Sequence, residues 1–386
     1  MITSAVSPTL IIGLRFFGLW PGVSYSVIYW LSFMSSILII QYFQYLYIFN
    51  HLKVSELSNL VDCLIVNLYY SLTFLKLVIL WIHRRVFHTI LAHIENDWRE
   101  CISVDQHLHI MTIKANISHT FSNGLLSFNV ITGIFYFLGD YVIRFIFLTE
   151  NYNVTLRQLP MKIQFPFETQ QSPMFEFLVL SLFLHAMLQI WSMAILNGLI
   201  FTLVHHVSGQ VDIICEEFRN ISRTALQYGS SLFSFGILVE RHNRILSLSE
   251  NIEKLFSFVA LMQVVWSTLV ICGLGFIIVI SIHNETGVFA LVKTMFGYFA
   301  IIMEVFFICF AGEYLGFKGN LIARATYETP WYNMPSNQSK IIIFILLRSQ
   351  KRLAITAGKM MDMSFETFTS IMKASVSFIS VLNAMY

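Results

Sequence analysis

Residues 363–386 read MSFETFTSIMKASVSFISVLNAMY, and the fold turns on them. Ser364 suits an N-cap, and Glu366 would sit in the electropositive first turn of the helix that follows. A helix over 364–386 would be ~34 Å long, enough to cross a hydrocarbon layer of ~30 Å. Yet Glu366, Ser370, Lys373, Ser377, Ser380 and Ala384 recur at spacings of 4, 3, 4, 3 and 4. That spacing draws one polar or small stripe along one helix face. The other faces carry Phe368, Ile371, Met372, Phe378, Ile379 and Leu382. A polar stripe inside a bilayer must meet water or other polar groups. Copies of the helix around an axis would enclose a water-filled path. Alternatively, the hydroxyls would bond to a neighbouring helix of the same chain. Lys373 favours the wet face, although a ring of such lysines would resist cations.

Composition sets the context. The chain has 386 residues, of which 56% are hydrophobic and 12% charged, with 36 Phe. A soluble domain carries about a quarter charged residues, so long apolar spans must absorb the excess. Six are expected, over 27–49, 60–82, 121–148, 174–204, 256–282 and 289–311, with 365–386 as a seventh. The apolar run 341–347 is too short to cross. The start shows no cleavable signal pattern, so the first span is expected to direct insertion itself. The net charge of +2 gives no bulk attraction to nucleic acid.

Lys and Arg set the orientation. Seventeen lie in 1–26, 83–120, 205–255 and 312–364. Only Lys53, Arg157 and Lys162 lie in the opposite set of connections, and Lys76, Arg144, Lys293 and Lys373 fall within spans. The N-terminus is therefore expected in the cytoplasm and the C-terminus outside, the reverse of a G-protein-coupled receptor. In this orientation the sequons at Asn153 and Asn284 face outward as glycosylation candidates, while those at Asn116, Asn220 and Asn337 face inward.

Two helices are expected to overrun the membrane. From 174 to 221 the helical period persists beyond Val204, with Val211, Ile214, Cys215, Phe218 and Ile221 on one face. Such a helix is ~72 Å long. Residues 237–255 repeat the pattern before the fifth span. These apolar stripes need partners, within a cytoplasmic anchor bundle formed from 205–255 and 312–364, on another subunit, or at the membrane surface.

Other signals weigh less. The cysteines Cys63, Cys101, Cys215, Cys272 and Cys309 form no CxxC pair and read as small buried hydrophobes. Adjacent His205 and His206 do not face one site on a helix, so no metal is expected. Asp140 and Arg144 read as a local ion pair, and Lys76 as a side chain that snorkels toward the cytoplasm. No phosphate loop, nucleophile elbow or zinc motif points to an enzyme or to a cofactor.

The carboxyl-terminal part resembles the insect odorant receptors. The resemblance rests on Trp331-Tyr332 with Pro335, and on LLRSQKRLAITAGKMMDMSFETFTSIMKASVSF over 346–378. Its core is Thr356-Ala357-Gly358-Lys359 followed by Ser364, Glu366, Thr367 and Phe368. LPMKIQFPFETQQSP, residues 159–173, resembles the second outer loop of hymenopteran-type members. The related gustatory receptors close on Thr-Tyr…Gln, where this chain has Ser375-Val376, which disfavours that branch.

The resemblance implies an all-α membrane protein with one seven-helix domain over 1–386. It implies an odorant-binding subunit that joins an obligate co-receptor in a tetrameric, ligand-gated, non-selective cation channel. Its place would be the plasma membrane of olfactory sensory neurons, its partners a small volatile odorant, the co-receptor and membrane lipid, with no nucleic acid. The seventh helix would line the pore, and matching SFISVLNAM to the family's pattern puts Val381 and Met385 at the gate beside Ser377, with Ala384 between. Asn383-Ala384 departs from the co-receptor pattern, which leaves this subunit's share in ion preference open. The odorant site would lie in the outer half of spans two to six. Topology then nominates Val66, Tyr69 and Tyr70 in span two; Val130, Gly133 and Phe137 in span three; and Phe177, Leu184 and Met187 in span four. Cys272, Met295 and Tyr298 complete the set from spans five and six. Ordinary helix packing would explain each of them equally well.

Two other readings remain at this point. A metabotropic seven-span receptor would reverse the topology. A transporter would show repeated hydropathy units, and none is evident.

Overall fold

Helices carry nearly all of the fold, as the long apolar runs require. The computed structural model describes residues 5–52, 57–147, 159–228, 232–283 and 288–385. Their helices are α1 (Pro8–Phe16), α2 (Ser26–Asn50), α3 (Leu57–Ile82), α4 (Arg84–Cys101) and α5 (Asp105–Phe147). There follow α6 (Met174–Tyr228), α7 (Leu232–His283), α8 (Val288–Tyr327), α9 (Ser336–Ser349) and α10 (Phe365–Met385). Of these, α2, α3, α5, α6, α7 and α8 are long and apolar enough to cross a membrane. The closing helix α10, at 21 residues, is ~31 Å long, sufficient in length but more polar.

The expected overrun is present and longer than its sequence period suggested. α6 runs 55 residues and α7 runs 52, ~80 Å each, so both stand well clear of the hydrocarbon. α5 also starts at Asp105, before the apolar span expected from 121. Inner-side extensions pack on one another within the chain. Asp212 on α6 bridges Lys114 of α5 (2.8 Å) and Lys318 of α8 (2.6 Å). His206 Nε2 on α6 meets Asp97 Oδ2 on α4 at 2.9 Å, while His205 Nδ1 lies 3.1 Å from the Phe201 carbonyl of its own helix. α9 buries Ile342 and Ile345 and ties Arg348 to Glu250 of α7 at 3.1 Å.

Two elements escape a search for long spans. α1 is capped by Ser7, whose Oγ accepts from the Leu10 N–H, and it lies along α6. A Cβ on Gly13 would come 2.3 Å from Ile195 Cδ1, a measure of how closely the two helices approach. The motif Thr356–Lys359 forms half of a tiny hairpin, β1 (Thr356–Ala357) with β2 (Met361–Asp362). Gly358 and Lys359 both take left-handed φ near +60° at its turn. The hairpin clamps α7: Gly358 N–H donates to the Ser257 carbonyl (2.8 Å) and Thr356 Oγ1 to Glu253 Oε1 (3.0 Å).

All five cysteines are free and buried. Burial pushes the Cys101 thiol above its ordinary range, so it makes a poor nucleophile. Lys76 does not snorkel. It is 1% exposed, and its Nζ donates to Asn197 Oδ1 at 3.3 Å, held in the interior by polar groups of neighbouring helices. The sequons at Asn153 and Asn284 and the side chains of Asp140 and Arg144 lie outside the described residues.

Candidate functional site

Five helices enclose a cavity of ≈ 100 Å³. α3 contributes Ile65, Val66, Tyr69 and Tyr70, because positions three and four apart share a helix face. α5 contributes Asn129, Thr132, Gly133, Tyr136 and Phe137. Ala186, Gln189 and Ile190 come from α6, and Val270 and Leu274 from α7. Gly297, Ala300, Ile301 and Glu304 of α8 close the wall. The lining is mainly aliphatic and aromatic with a few polar groups, the usual composition of a small-molecule site.

The aromatic walls are held in place. Tyr70 Oη pairs with His185 Nδ1 (3.2 Å), and His185 Nε2 with Ser36 Oγ (3.0 Å), which ties α3, α6 and α2 together. Tyr136 Oη donates to Asp62 Oδ1 at 2.9 Å, and the Lys293 ammonium sits 4.8 Å from the centre of the Tyr136 ring. Segment 159–173 seals the α2–α3 side: Met161 and Ile163 are buried, and Phe165 packs 5.1 Å from Phe43. Gly133 permits a close approach, since a Cβ there would lie 2.4 Å from Ile190 Cδ1.

Of the residues nominated from topology, Val66, Tyr69, Tyr70, Gly133 and Phe137 meet at this cavity. The others do not line it. Val130 lies one residue off the inward face made by Asn129, Thr132 and Gly133. Phe177 and Leu184 are exposed, because the inward face of α6 is Ala186, Gln189 and Ile190. Met187 packs behind Gly133 instead. Cys272 faces α10, where its Sγ lies 3.8 Å from the Ser375 carbonyl, and Tyr298 lies by Gly275. Met295 is exposed. Topology fixed the depth of these residues but not the rotation of each helix, and one step along a helix turns a side chain by about 100°.

The polar members Asn129, Gln189 and Glu304 were missed. An acidic residue in an otherwise apolar span is a signal in itself, and Glu304 carries it. Tyr69 Oη donates to Glu304 Oε1 at 3.4 Å. Burial is nearly complete for Glu304 (2% exposed) and for Gln189 (1%).

α10 presents the second feature. Ser364 caps it, accepting from the Thr367 N–H at 3.2 Å. Ile371 and Ser375 are buried, and Ile379 fits where Gly275 lacks a side chain. Glu366, Ser370, Lys373, Ser377, Ser380 and Ala384 are all exposed. Ser370 and Ser380 satisfy their hydroxyls on backbone carbonyls of their own helix, at 2.9 Å each. Thus the polar stripe is not consumed by a neighbouring helix of the chain. Val381, proposed for the gate, is exposed beside it, whereas the Met385 side chain lies outside the described residues.

Comparison with known proteins adds the family. The model of the 7tm odorant receptor family matches residues 56–376. Putative odorant receptor 92a of Drosophila melanogaster is 30% identical over 149 residues, 39% of this chain and 35% of that protein. Odorant receptor 85b of the same species is 27% identical over 149 residues, 39% of this chain and 37% of its own length. These alignments thus span little more than a third of the relatives. Over the whole length, the fold is similar to that of the insect olfactory receptor OR5 from Machilis hrabei in complex with eugenol. The TM-score there is 0.76 at 15% identity, covering 98% of this chain and 97% of that one. With six apolar crossing helices, the more polar α10 closing the bundle and the family match over residues 56–376, this chain belongs to the 7tm odorant receptor family.

Proposed function

We propose that this chain is the odorant-binding subunit of a heteromeric, ligand-gated, non-selective cation channel in the plasma membrane of olfactory sensory neurons. One observation carries the reading: α10 keeps a full-length polar stripe exposed on a bilayer-length helix. Hydrocarbon would penalise such a face, and water shared among several subunits would satisfy it. Ser377, Val381, Ala384 and Met385 would then face the conduit. Apolar side chains at its outer end would block ions by dewetting until the ring widens.

The partner subunits would include a co-receptor, docked largely through the inner helices. There α9 leaves Ile343, Phe344 and Leu347 exposed, an apolar face beyond what the chain itself covers.

The cavity would hold the odorant. Burial at ~25 cal/mol per Å² supplies affinity, and gating requires that the ligand bind the open state better than the closed one. The clamp from Thr356–Lys359 onto α7, and Cys272 against Ser375, give the ligand-bearing bundle two mechanical contacts with α10. The test is a volatile panel applied to cells expressing this chain with a co-receptor. Ligand-evoked cation current without added nucleotide or G protein is the expected result. Silence to the panel with normal surface delivery would defeat the odorant assignment.

A further inference from the structure

We propose that the cavity is specific for small hydroxyl-bearing ligands, alcohols or phenols, through a polar pole at its inner end made by Gln189 and Glu304. The inference rests on reading this cavity as the odorant site. Gln189 lies fifteen residues inward of the Met174 start of α6, and Glu304 sixteen inward of the Val288 start of α8. Both therefore sit ~22–24 Å along their helices, deeper than Gly297 or Ala300 on the same wall.

Their hydrogen-bonding state sets them apart from the other polar lining groups. Asn129 Nδ2 and Thr132 Oγ1 are spent on the Leu125 and Phe128 carbonyls of their own helix. Tyr69 Oη is spent on Glu304 Oε1. By contrast, Gln189 has neither Oε1 nor Nε2 paired, and Glu304 Oε2 is also without a partner, although Lys76 and Gln263 act on its carboxyl group. A buried unpaired polar atom costs free energy, which a ligand bond would recover. Gln189 offers a donor and an acceptor, and Glu304 an acceptor. A hydroxyl can accept from Gln189 Nε2 and donate its one proton to either acceptor oxygen, so it meets two of the three unpaired atoms. An ether or ketone only accepts and leaves the two acceptor oxygens unmet. A hydrocarbon meets none of them, and a carboxylate has no proton to donate and leaves both acceptor oxygens unmet. Sites built to bond a hydroxyl reject analogues that lack it far more strongly than apolar pockets reject a missing methylene.

The experiment uses the full chain with a co-receptor and compares 1-alkanols of four to ten carbons with their isomeric methyl ethers and equal-length alkanes. Phenol and toluene form an aromatic pair. The expected result is that the alkanols or phenol act at concentrations at least tenfold below their matched analogues. Gln189→Met, which keeps length and removes both hydrogen-bonding atoms, should shrink that gap below threefold. Glu304→Gln should shrink it in part. Surface labelling checks delivery, and if a variant is not delivered the wild-type comparison alone decides. Equal potency of alcohol and ether would overturn the proposal, as would a gap that survives both substitutions, and the odorant-site reading would stand. A response to hydroxylated ligands left unchanged when Gly133→Leu fills the cavity would overturn both.

Discussion

Replacing Gly133 with alanine places a methyl group where the structure has no room for it. The new Cβ would lie 2.4 Å from Ile190 Cδ1 and 2.8 Å from Met187 Cε. Both obstacles are ends of flexible side chains, so the helices need not part. Ile190 must turn instead, and it lines the cavity. The cavity measures only ≈ 100 Å³, so one displaced methyl group takes a sizeable share. Losing the burial of one methylene costs ~0.8 kcal/mol, or roughly a fourfold rise in half-maximal concentration for a ligand that fills the site. Leucine, with four added carbons, should cost ~3 kcal/mol, a shift on the order of a hundredfold or more. Shorter ligands of the same series should be affected less, which separates a filled pocket from a damaged fold. The assay is a concentration–response series of graded ligand lengths in cells expressing both subunits, with surface labelling in parallel. Unchanged potency for the longest active ligand in a normally delivered Gly133→Leu receptor would refute the placement of the ligand here.

Three further outcomes follow from buried contacts. Lys76→Met should lower surface delivery, since it strands Asn197 Oδ1 and leaves the Glu304 carboxyl without its nearby cation; adding Glu304→Gln should restore part of it, and the pair read as a double-mutant cycle measures the coupling. Gly358→Ala should destabilise the chain by about 1–2 kcal/mol, because alanine must hold φ +61° with its Cβ 2.7 Å from Leu261 Cδ2; thermal unfolding in detergent measures the loss. Asp212→Asn removes the carboxylate shared by Lys114 and Lys318 and should cost about 1 kcal/mol, given its partial exposure, with a smaller loss in high salt.

How far the residues disclose this architecture depends on what each signal measures. Apolar run length and Lys/Arg placement depend on the membrane alone, so they yield crossing helices and orientation. The overrun of α6 showed in Val211, Ile214 and Phe218 because helical periodicity does not stop at the headgroups. α1 was not legible, since nine residues with one apolar face look like any short loop-flanking segment. The hairpin at Gly358 was visible as a motif but not as a clamp, because its partners Glu253 and Ser257 lie about a hundred positions away. At the cavity, depth was legible and rotation was not. Tyr69 and Tyr70 faced inward together, whereas Leu184 and Met295, at comparable depth on α6 and α8, turned out to face away. Glu304 was readable in principle: a lone carboxylate in a span must face polar company.

Water access along α10 decides whether its polar stripe lines a conduit. Single cysteines at Ser370, Ser377 and Ser380, and at Phe378 as an apolar control, should be placed in complexes that conduct. Each is then exposed to a membrane-impermeant thiol reagent with and without ligand. Modification and altered current are expected at the three serine positions, faster when the ligand is present, with slow modification at Phe378. Inert serine positions in conducting complexes, with rapid labelling at Phe378, would contradict a conduit-lining stripe.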